Sequence, residues 1–284
     1  MSYFAYNRSL LNFNQKGNWM LLVTQLIIGA AIGLVITTTG VGGGVILLPV
    51  LIYLFGMNAL AAVATANLLS MLMKLSSSYI HFRLGNIPLK PALLSLGIMF
   101  PATFLASYGV TWLGSQPQYY DRVESGINIL MIVTIVFSLI LFLQRMLRRS
   151  ASSNPLIVLP PPSSVTFSSL FVPGVSAGFV LGATGVGGGL VVLPVLMRFA
   201  QMGIKEAIGT SIFITTILSG GSAIAYSAGG YTDVHTALIL CLGSLLSIPL
   251  ARYLLVYLSE RFFQYLTLSF ILISIIMMSW KLIN

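Results

Sequence analysis

Charged residues are scarce in this sequence. Asp, Glu, Lys and Arg together account for 7% of the 284 residues, whereas 57% of the residues are hydrophobic. A water-soluble protein of this length could not bury so much apolar surface while exposing so few charges. The composition therefore excludes a soluble globular protein and predicts an integral membrane protein.

Side chains suited to catalysis or metal binding are also rare. The chain has one cysteine, Cys241, and two histidines, which excludes a disulfide framework and most metal sites. No Ser/His/Asp set and no pair of carboxylates falls within an apolar segment, which argues against an enzyme. Basic loops of a membrane protein explain the net charge of +9 better than nucleic-acid binding does. We therefore expect no cofactor, no metal and no nucleic acid.

Apolar residues occur in long continuous runs, which are typical of transmembrane helices, whereas the strands of a membrane barrel alternate. Residues 1–18 lack the order of a cleavable signal peptide and predict a polar lead-in. Residues 145–165, rich in Arg, Pro and Ser, predict a cytoplasmic linker between a first transmembrane repeat at 19–144 and a second at 166–284. The predicted apolar segments are 19–38, 45–57, 60–80, 91–112, 124–144, 167–183, 190–202, 206–228, 234–257 and 261–281.

The same glycine-rich motif occurs once in each half of the chain. Residues 39–44 read Thr-Gly-Val-Gly-Gly-Gly and are followed by Pro49, and residues 184–189 repeat these letters before Pro194. Without a gap, 29–51 and 174–196 are identical at 13 of 23 positions. Two copies half a chain apart indicate an internal duplication. We therefore predict an all-α integral membrane protein of two five-segment repeats.

The apolar arm after each motif is too short to cross a membrane. About 13 residues form about 20 Å of helix, whereas the hydrocarbon core is ~30 Å thick. Each motif is then either a break within one crossing, with parallel repeats, or the tip of a re-entrant hairpin, with inverted repeats. With the Arg-rich linker inside, the hairpin arrangement places nine Lys and Arg residues inside and four outside; the broken crossing places eight and five. The excess of inside charges favours inverted repeats.

The glycine motifs are the predicted substrate site. A helix that begins in a glycine-rich loop has unpaired N–H groups, which attract an anion. If both tips reach the middle of the membrane, two such helix ends meet there. Close helix packing through small residues is the alternative, and a nucleotide-binding loop is excluded because no Lys-Ser/Thr follows. The candidate residues of the motifs are Thr39, Gly40, Gly42, Gly43, Gly44, Thr184, Gly185, Gly187, Gly188 and Gly189.

The segment after each motif supplies further polar candidates. Lys74 lies within the apolar stretch 60–80, where a charge costs at least ~2.5 kcal/mol unless it faces a partner or a wet cavity. It could bind the anion directly, or its long side chain could extend to the membrane surface. Hydroxyl and amide groups in this segment and in its second-half counterpart could line a polar path or hold helices together. These candidates are Thr65, Asn67, Thr210 and Ser211.

With these features the sequence resembles the sulfite exporter TauE/SafE family of membrane permeases over residues 19–281. The resemblance implies transport of a small anion such as sulfite, thiosulfate or an organosulfonate. Lys74 and His81 match one subgroup, whereas Met73 and Ala66 replace its Thr and Asp. The residues that carry the resemblance are the two glycine motifs with Pro49 and Pro194, the pairs Ala64-Thr65 and Gly209-Thr210, and the run Arg83-Leu84-Gly85-Asn86. We assign structural roles to Pro49, Pro194, Arg83 and Gly85.

The sequence thus predicts a secondary transporter that moves a small sulfur-containing anion by alternating access, coupled to the proton gradient. We expect a multi-pass protein of the bacterial inner (plasma) membrane, with the linker 145–165 in the cytoplasm. Its partners would be the anionic substrate, the lipid bilayer and protons. A passive anion channel and a non-transporting scaffold or receptor subunit are the alternatives. The sequence leaves the oligomeric state open.

Overall fold

The protein is built from helices of very different length. The computed structural model describes residues 15–39, 44–151, 167–186, 191–250, 253 and 260–283. Among these residues every regular element is helical, as the sequence predicts. The helices are α1 (Gln15–Thr39), α2 (Gly44–Tyr53), α3 (Ala59–Arg83), α4 (Leu89–Gly114), α5 (Tyr120–Ala151), α6 (Phe167–Thr184), α7 (Leu193–Arg198), α8 (Ile204–Ala228), α9 (Val234–Leu246) and α10 (Glu260–Ile283).

Six of these helices are long and apolar enough to span a membrane, namely α1, α3, α4, α5, α6 and α8. Their outward surfaces carry large apolar side chains: Leu105 and Ile224 are each 69% exposed and Trp112 is 56% exposed. Such surfaces require contact with lipid rather than water. The prediction of a helical, multi-pass membrane protein is confirmed.

The helices after the glycine motifs are short, and the first of them is enclosed by protein. The ten residues of α2 rise about 15 Å, half the thickness of a hydrocarbon core. Eight of them are buried, and Val45, Leu47, Leu48 and Leu51 have no exposed surface. The counterpart α7 has six residues and follows a π-helical turn at 191–192. A helix that ends within the membrane leaves backbone groups that protein must surround, and the burial of α2 meets that requirement.

The end of α5 differs from the prediction. The apolar segment was expected to end at residue 144 and the linker to begin at 145, but α5 continues to Ala151. The added stretch includes Arg145, Arg148 and Arg149, and arginine is a strong helix former that does not require an apolar environment. Hydropathy therefore indicated the end of the apolar run rather than the end of the helix. The rest of the predicted linker, 152–165, lies outside the described residues.

The predicted segment 234–257 is interrupted. Helix α9 ends at Leu246, Ser247 forms a turn in which its N–H bonds the carbonyl of Ser244 at 3.2 Å, and residues 248–250 are helical again. Pro249 is the physical reason. It has no N–H to donate, and its ring would collide with the carbonyl four residues earlier, that of Leu245, in a continuous helix. An apolar run therefore does not imply an unbroken helix.

The sequence offset between the two glycine motifs recurs in local structure. Helices α3 and α8 each have 25 residues. Their first residues, Ala59 and Ile204, are as many positions apart as Thr39 and Thr184 of the two motifs, and so are their last residues, Arg83 and Ala228. Each helix is followed by a glycine in the left-handed region, Gly85 at φ +69° and Gly230 at φ +75°. The next N–H bonds a carbonyl five residues earlier in both cases, Asn86 to His81 and Tyr231 to Tyr226, a common way to end a helix. These are the correspondences that the duplication hypothesis predicts.

Helices α3 and α8 pack against each other in antiparallel orientation. Near the start of α3, the Thr65 hydroxyl accepts a hydrogen bond from the N–H of Asp233, just beyond the end of α8. At the other end, Gly209 near the start of α8 lies against His81 and Asn86. Equivalent helices run in opposite directions when repeats are inverted and in the same direction when they are parallel. The packing therefore has the relation of inverted repeats, although the duplication itself stays a prediction.

The neighbouring helices fix the direction of the motif segments. Helix α1 packs parallel to α9, with Gly33 against Ser244, and α6 packs parallel to α4, with Gly178 against Met99. Helix α9 begins on the side where α3 begins, so α1 also begins there. Helix α4 begins on the side where α3 ends and α8 begins, so α6 begins on that second side. We call it the linker side, because α5 ends there and α6 starts there.

The described helices on either side of each glycine motif therefore form the two arms of a hairpin. The segment α1–α2 starts on the side opposite the linker. It returns to that same side, since α3 begins there. The segment α6–α7 starts on the linker side and returns to it, since α8 begins there. Of the two alternatives drawn from the sequence, this path is that of the re-entrant hairpins, which enter from opposite faces.

Candidate functional site

The two motif regions meet inside the protein. Gly44, the first residue of α2, lies so close to the second motif that an added Cβ would be 2.6 Å from the carbonyl oxygen of Gly185 and 2.8 Å from the Cα of Val186. Only a residue without a side chain permits this approach. Gly40, Gly42, Gly43, Gly187, Gly188 and Gly189 lie outside the described residues, as does the side chain of Thr39, the last residue of α1.

The turn after α6 is held by Thr184. Its hydroxyl donates to the carbonyl of Val180 at 2.6 Å and accepts from the N–H of Val186 at 3.1 Å. Gly185 between them has φ +65°, in the left-handed region that side chains disfavour. The predicted residues Thr184 and Gly185 thus shape the turn that contacts Gly44. The hydroxyl of Thr184 is used for this turn, so its described contacts are structural.

Asn67 lies beside this turn with unused hydrogen-bonding capacity. A Cβ added to Gly185 would be 3.1 Å from its Nδ2 atom. Nδ2 donates one proton to the carbonyl of Val63 at 3.0 Å, which leaves the second N–H of the amide. The residue has no exposed surface, and Oδ1 has no partner among the described residues. A buried polar atom without a partner costs stability. Oδ1 of Asn67 could accept a hydrogen bond from a bound molecule, and its second N–H could donate one to an anion.

The predicted hydroxyls are not gathered at one point. Thr65 accepts the N–H of Asp233 at 3.1 Å, so part of its capacity serves a loop. Thr210 and Ser211 lie on α8 near Gly209, at the end of the interface where His81 is found. Thr210 is fully buried, and its hydroxyl has no partner among the described residues. Antiparallel packing thus places Thr65 with Asn67 toward one side of the membrane, and Thr210 with Ser211 toward the other.

Lys74 lies between these two polar groups. Along α3, Lys74 comes after Met71, which contacts Gly220, and before His81, which contacts Gly209. Lys74 is partly buried, and no described residue forms an ion pair or hydrogen bond with it. About 14 Å of helix rise separates it from the end of α3 at Arg83. It is a cation near the middle of a membrane-spanning helix.

Acidic residues that could neutralise Lys74 are far away along their helices. The sequence has five, and all lie within the first five residues of a described helix or just before one: Asp121, Glu124, Glu206, Asp233 and Glu260. Carboxylates are stabilised at those positions by the helix dipole. None of the five occurs in the middle of a described helix, so no carboxylate side chain on the described helices lies at the depth of Lys74.

The residues predicted as structural occupy helix boundaries or the short helices. Pro49 lies inside α2 and Pro194 in the first turn of α7, where its missing N–H costs no hydrogen bond. Arg83 ends α3 and is exposed. Gly85 follows it at φ +69° and completes the turn. These positions are compatible with the assigned roles, which stay predictions.

Two sets of supporting residues were not anticipated. Glu124 of α5 accepts the N–H groups of Ala59 and Leu60, the unpaired donors at the start of α3. On α4, Thr103 and Ser107 donate to the carbonyls of Gly178 and Gly182 at 2.9 and 3.0 Å, shortly before the second motif. The helical spacing of these hydroxyls on α4 was the available signal. The contact of Glu124 with α3 had none, because the two partners lie far apart in the sequence.

The loop between α8 and α9 carries a buried tyrosine and a capping carboxylate. Asp233 accepts from the N–H and the hydroxyl of Thr236 at 3.0 and 2.7 Å and so caps α9. Burial raises the pKa of the Tyr231 phenol nearby. Among the described residues, no three His, Cys, Asp or Glu side chains cluster in a way that could hold a metal ion.

Comparison with known proteins agrees with a membrane transporter. A family model described as "Sulfite exporter TauE/SafE" matches residues 24–278. The chain is 29% identical over 258 residues to "Probable membrane transporter protein YjnA" of Bacillus subtilis, an alignment that covers 89% of this chain and 97% of that one. It is 24% identical over 237 residues to "Probable membrane transporter protein MJ0441" of Methanocaldococcus jannaschii, with 78% and 82% covered. No solved structure matched the chain.

Proposed function

Since the chain belongs to the sulfite exporter TauE/SafE family and is a multi-pass membrane transporter, we propose that it is a secondary transporter of a small sulfur-containing anion. Sulfite is the first candidate substrate, because the family is described by it. Thiosulfate and small organosulfonates carry the same kind of anionic oxygen atoms and are the next candidates. The family resemblance drawn from the motifs is confirmed, and the substrate is the proposal.

The observation that carries an anionic substrate is the uncompensated charge of Lys74. A lysine at this depth is costly without a partner, and every Asp and Glu of the sequence lies within the first five residues of a described helix or just before one. A bound anion would supply the missing counter-charge. Charge-assisted hydrogen bonds of this kind are shorter and stronger than neutral ones. The same position would repel a cationic substrate.

The meeting point of the two hairpins is the proposed place of binding. Helix α2 begins at Gly44, so its first N–H groups have no partner within the helix and its dipole favours negative charge. Asn67 adds a second N–H beside Gly185. Lys74 lies further along α3 by about 10 Å of helix rise, a distance that its long side chain shortens. Backbone, amide and ammonium donors would then surround one small anion.

Alternating access follows from hairpins that enter from opposite faces. If one hairpin closes the path on its side while the other opens, the site communicates with one side at a time. The antiparallel α3–α8 contact provides the interface between the two halves along which such movement would occur. We propose that the proton gradient drives the cycle, with His81 at the linker-side end of α3 as a histidine suited to proton transfer.

The test is the flux of radiolabelled sulfite and thiosulfate in proteoliposomes, with and without a pH gradient. Lys74→Gln should lower flux about 10- to 100-fold, the factor equivalent to losing a charge-assisted hydrogen bond of about 1.5–3 kcal/mol. Lys90→Gln is the matched control, because Lys90 is exposed at the start of α4. This variant should transport at the wild-type rate.

Three results would contradict the proposal. Flux of Lys74→Gln equal to that of the wild type would mean that Lys74 extends to the membrane surface and binds no substrate. Substrate that never accumulates against its gradient, whatever the pH gradient, would indicate a passive channel. No flux of sulfite, thiosulfate or an organosulfonate by folded protein would exclude the substrate class.

A further inference from the structure

A cavity of about 420 Å³ lies between α5, α6 and α7, on the second hairpin and away from the site described above. Its walls are almost entirely apolar. Of its polar side chains, Thr134 donates its hydroxyl to Leu130 and Ser176 donates to Pro173, both within their own helices. The remaining polar group is the guanidinium of Arg198.

The lining of this groove changes in one direction across the membrane. Leu130 of α5, Val180 of α6 and Val191 before α7 form the deeper end, because α5 runs toward the linker side while α7 starts at the hairpin turn. Leu141 of α5 and Arg198, the last residue of α7, form the end nearest the linker side. The groove is therefore apolar toward the middle of the membrane and cationic toward its surface.

The corresponding position in the first half is closed by protein. Tyr53, which aligns with Arg198 when the two motifs are superimposed in sequence, donates its hydroxyl to the carbonyl of Met277 in α10. Ser274 of α10 donates to the carbonyl of Val45 at 3.0 Å. Helix α10 thus covers α2, whereas α5 leaves an open groove beside α7. Where the first hairpin has a tyrosine that joins two helices, the second has an exposed cation.

We propose that this groove binds one acyl chain of an anionic phospholipid and that Arg198 holds its phosphate. An apolar groove among membrane-spanning helices is in contact with lipid chains, which fill voids that side chains leave. The order of the lining matches a lipid of the linker-side leaflet, with its head at the surface and its chain toward the middle. Arg198 is exposed, its guanidinium carbon lies 5.9 Å from the centre of the Phe199 ring, and no described residue forms an ion pair with it. A planar guanidinium suits bidentate binding of phosphate.

Native mass spectrometry of the full chain tests this proposal. Delipidated protein is titrated with dioleoyl phosphatidylglycerol or dioleoyl phosphatidylcholine. We expect one tight phosphatidylglycerol adduct that binds about tenfold more weakly in Arg198→Gln, the factor typical for one charge-assisted contact. Ser176→Trp, a change at an exposed position that fills the groove, should weaken the same adduct. Lys90→Gln removes a cation on the same side outside the groove and should bind like the wild type.

Other outcomes would overturn the proposal. Unchanged phosphatidylglycerol binding in Ser176→Trp would place the lipid elsewhere. Equal affinity for the two lipids, unaffected by Arg198→Gln, would show that no anionic head group is recognised. A dimer that dissociates in Ser176→Trp would mean that a second copy occupies the groove. Size-exclusion profiles and unfolding temperatures establish that each variant is folded before these results are compared.

Discussion

Replacing Gly44 with alanine perturbs the contact between the two hairpins with one methyl group. The added Cβ would lie 2.6 Å from the carbonyl oxygen of Gly185, and ordinary van der Waals contact begins at 3.4 Å. The backbones must therefore move apart, since neither partner atom belongs to a side chain that can rotate away. Overpacking of this kind costs about 1–3 kcal/mol. If the separated hairpins no longer present their donors to one anion, transport should fall about 10- to 100-fold.

The assay combines flux in proteoliposomes with thermal unfolding in detergent. Gly97→Ala is the matched control, because a Cβ at this position of α4 meets nothing within 4 Å. It should transport at the wild-type rate and unfold at the same temperature or slightly above, since alanine favours helix more than glycine does. The comparison thus separates the steric effect of a methyl group at the hairpin contact from the general effect of replacing glycine.

Two results would contradict a role of the hairpin contact in transport. Gly44→Ala with normal flux and a lowered unfolding temperature would show that the hairpin contact is packing alone. Gly44→Ala with normal flux and normal unfolding would show that the backbones yield without cost, and both the site and its rigidity would have to be abandoned.

Further predictions concern stability. Glu124→Ala should lower the free energy of unfolding by about 1–2 kcal/mol, because two N–H groups at the start of α3 lose their acceptor; Asp121→Ala, an exposed change on the same helix, should have little effect in the same thermal unfolding assay. Gly85→Ala should cost about 1 kcal/mol through its φ of +69° alone, since its Cβ would meet nothing. Gly109→Ala, also unobstructed, is its control, and equal unfolding temperatures for these two variants would contradict the backbone explanation.

Most helices could be predicted because their signals are local. The apolar run at 60–80 corresponds to the helix Ala59–Arg83, and the run at 91–112 corresponds to Leu89–Gly114. Both the hydropathy and the residues that begin or end a helix lie within or next to each segment. Asn58, whose side chain accepts the N–H of Ala61 at 2.7 Å, begins α3, and Gly85 follows its end. Polar helix formers extend α5 beyond residue 144, and Pro249 interrupts the segment after α9. In both places the end of the helix differs from the end of the apolar run.

The candidate site was harder to predict because it depends on how distant segments pack. The sequence grouped Thr65 with Thr210 by their equivalent positions, but antiparallel packing of α3 and α8 moves equivalent positions apart. It singled out Asn67 and Lys74 from polarity in an apolar run, and both retain unused capacity among the described residues. The capping of α3 by Glu124 and the groove beside Arg198 result from packing between segments far apart in the chain, so local sequence carried no signal for either.

If Lys74 binds the substrate as proposed, it would also make transport sensitive to the membrane voltage. The residue that aligns with Lys74 in the second half is Ser219. These two equivalent positions therefore carry one positive charge together, whereas identical halves would carry two or none. If the proposed site alternates between the two sides, an occupied site that holds a monoanion would be electrically neutral, whereas an empty site would hold one positive charge. A charge that crosses the whole membrane potential is worth about 2.3 kcal/mol per 100 mV, which is the upper limit here because Lys74 stays within the membrane. Exchange of monoanions would then be independent of the voltage, while net movement would depend on it at the step in which the empty transporter returns.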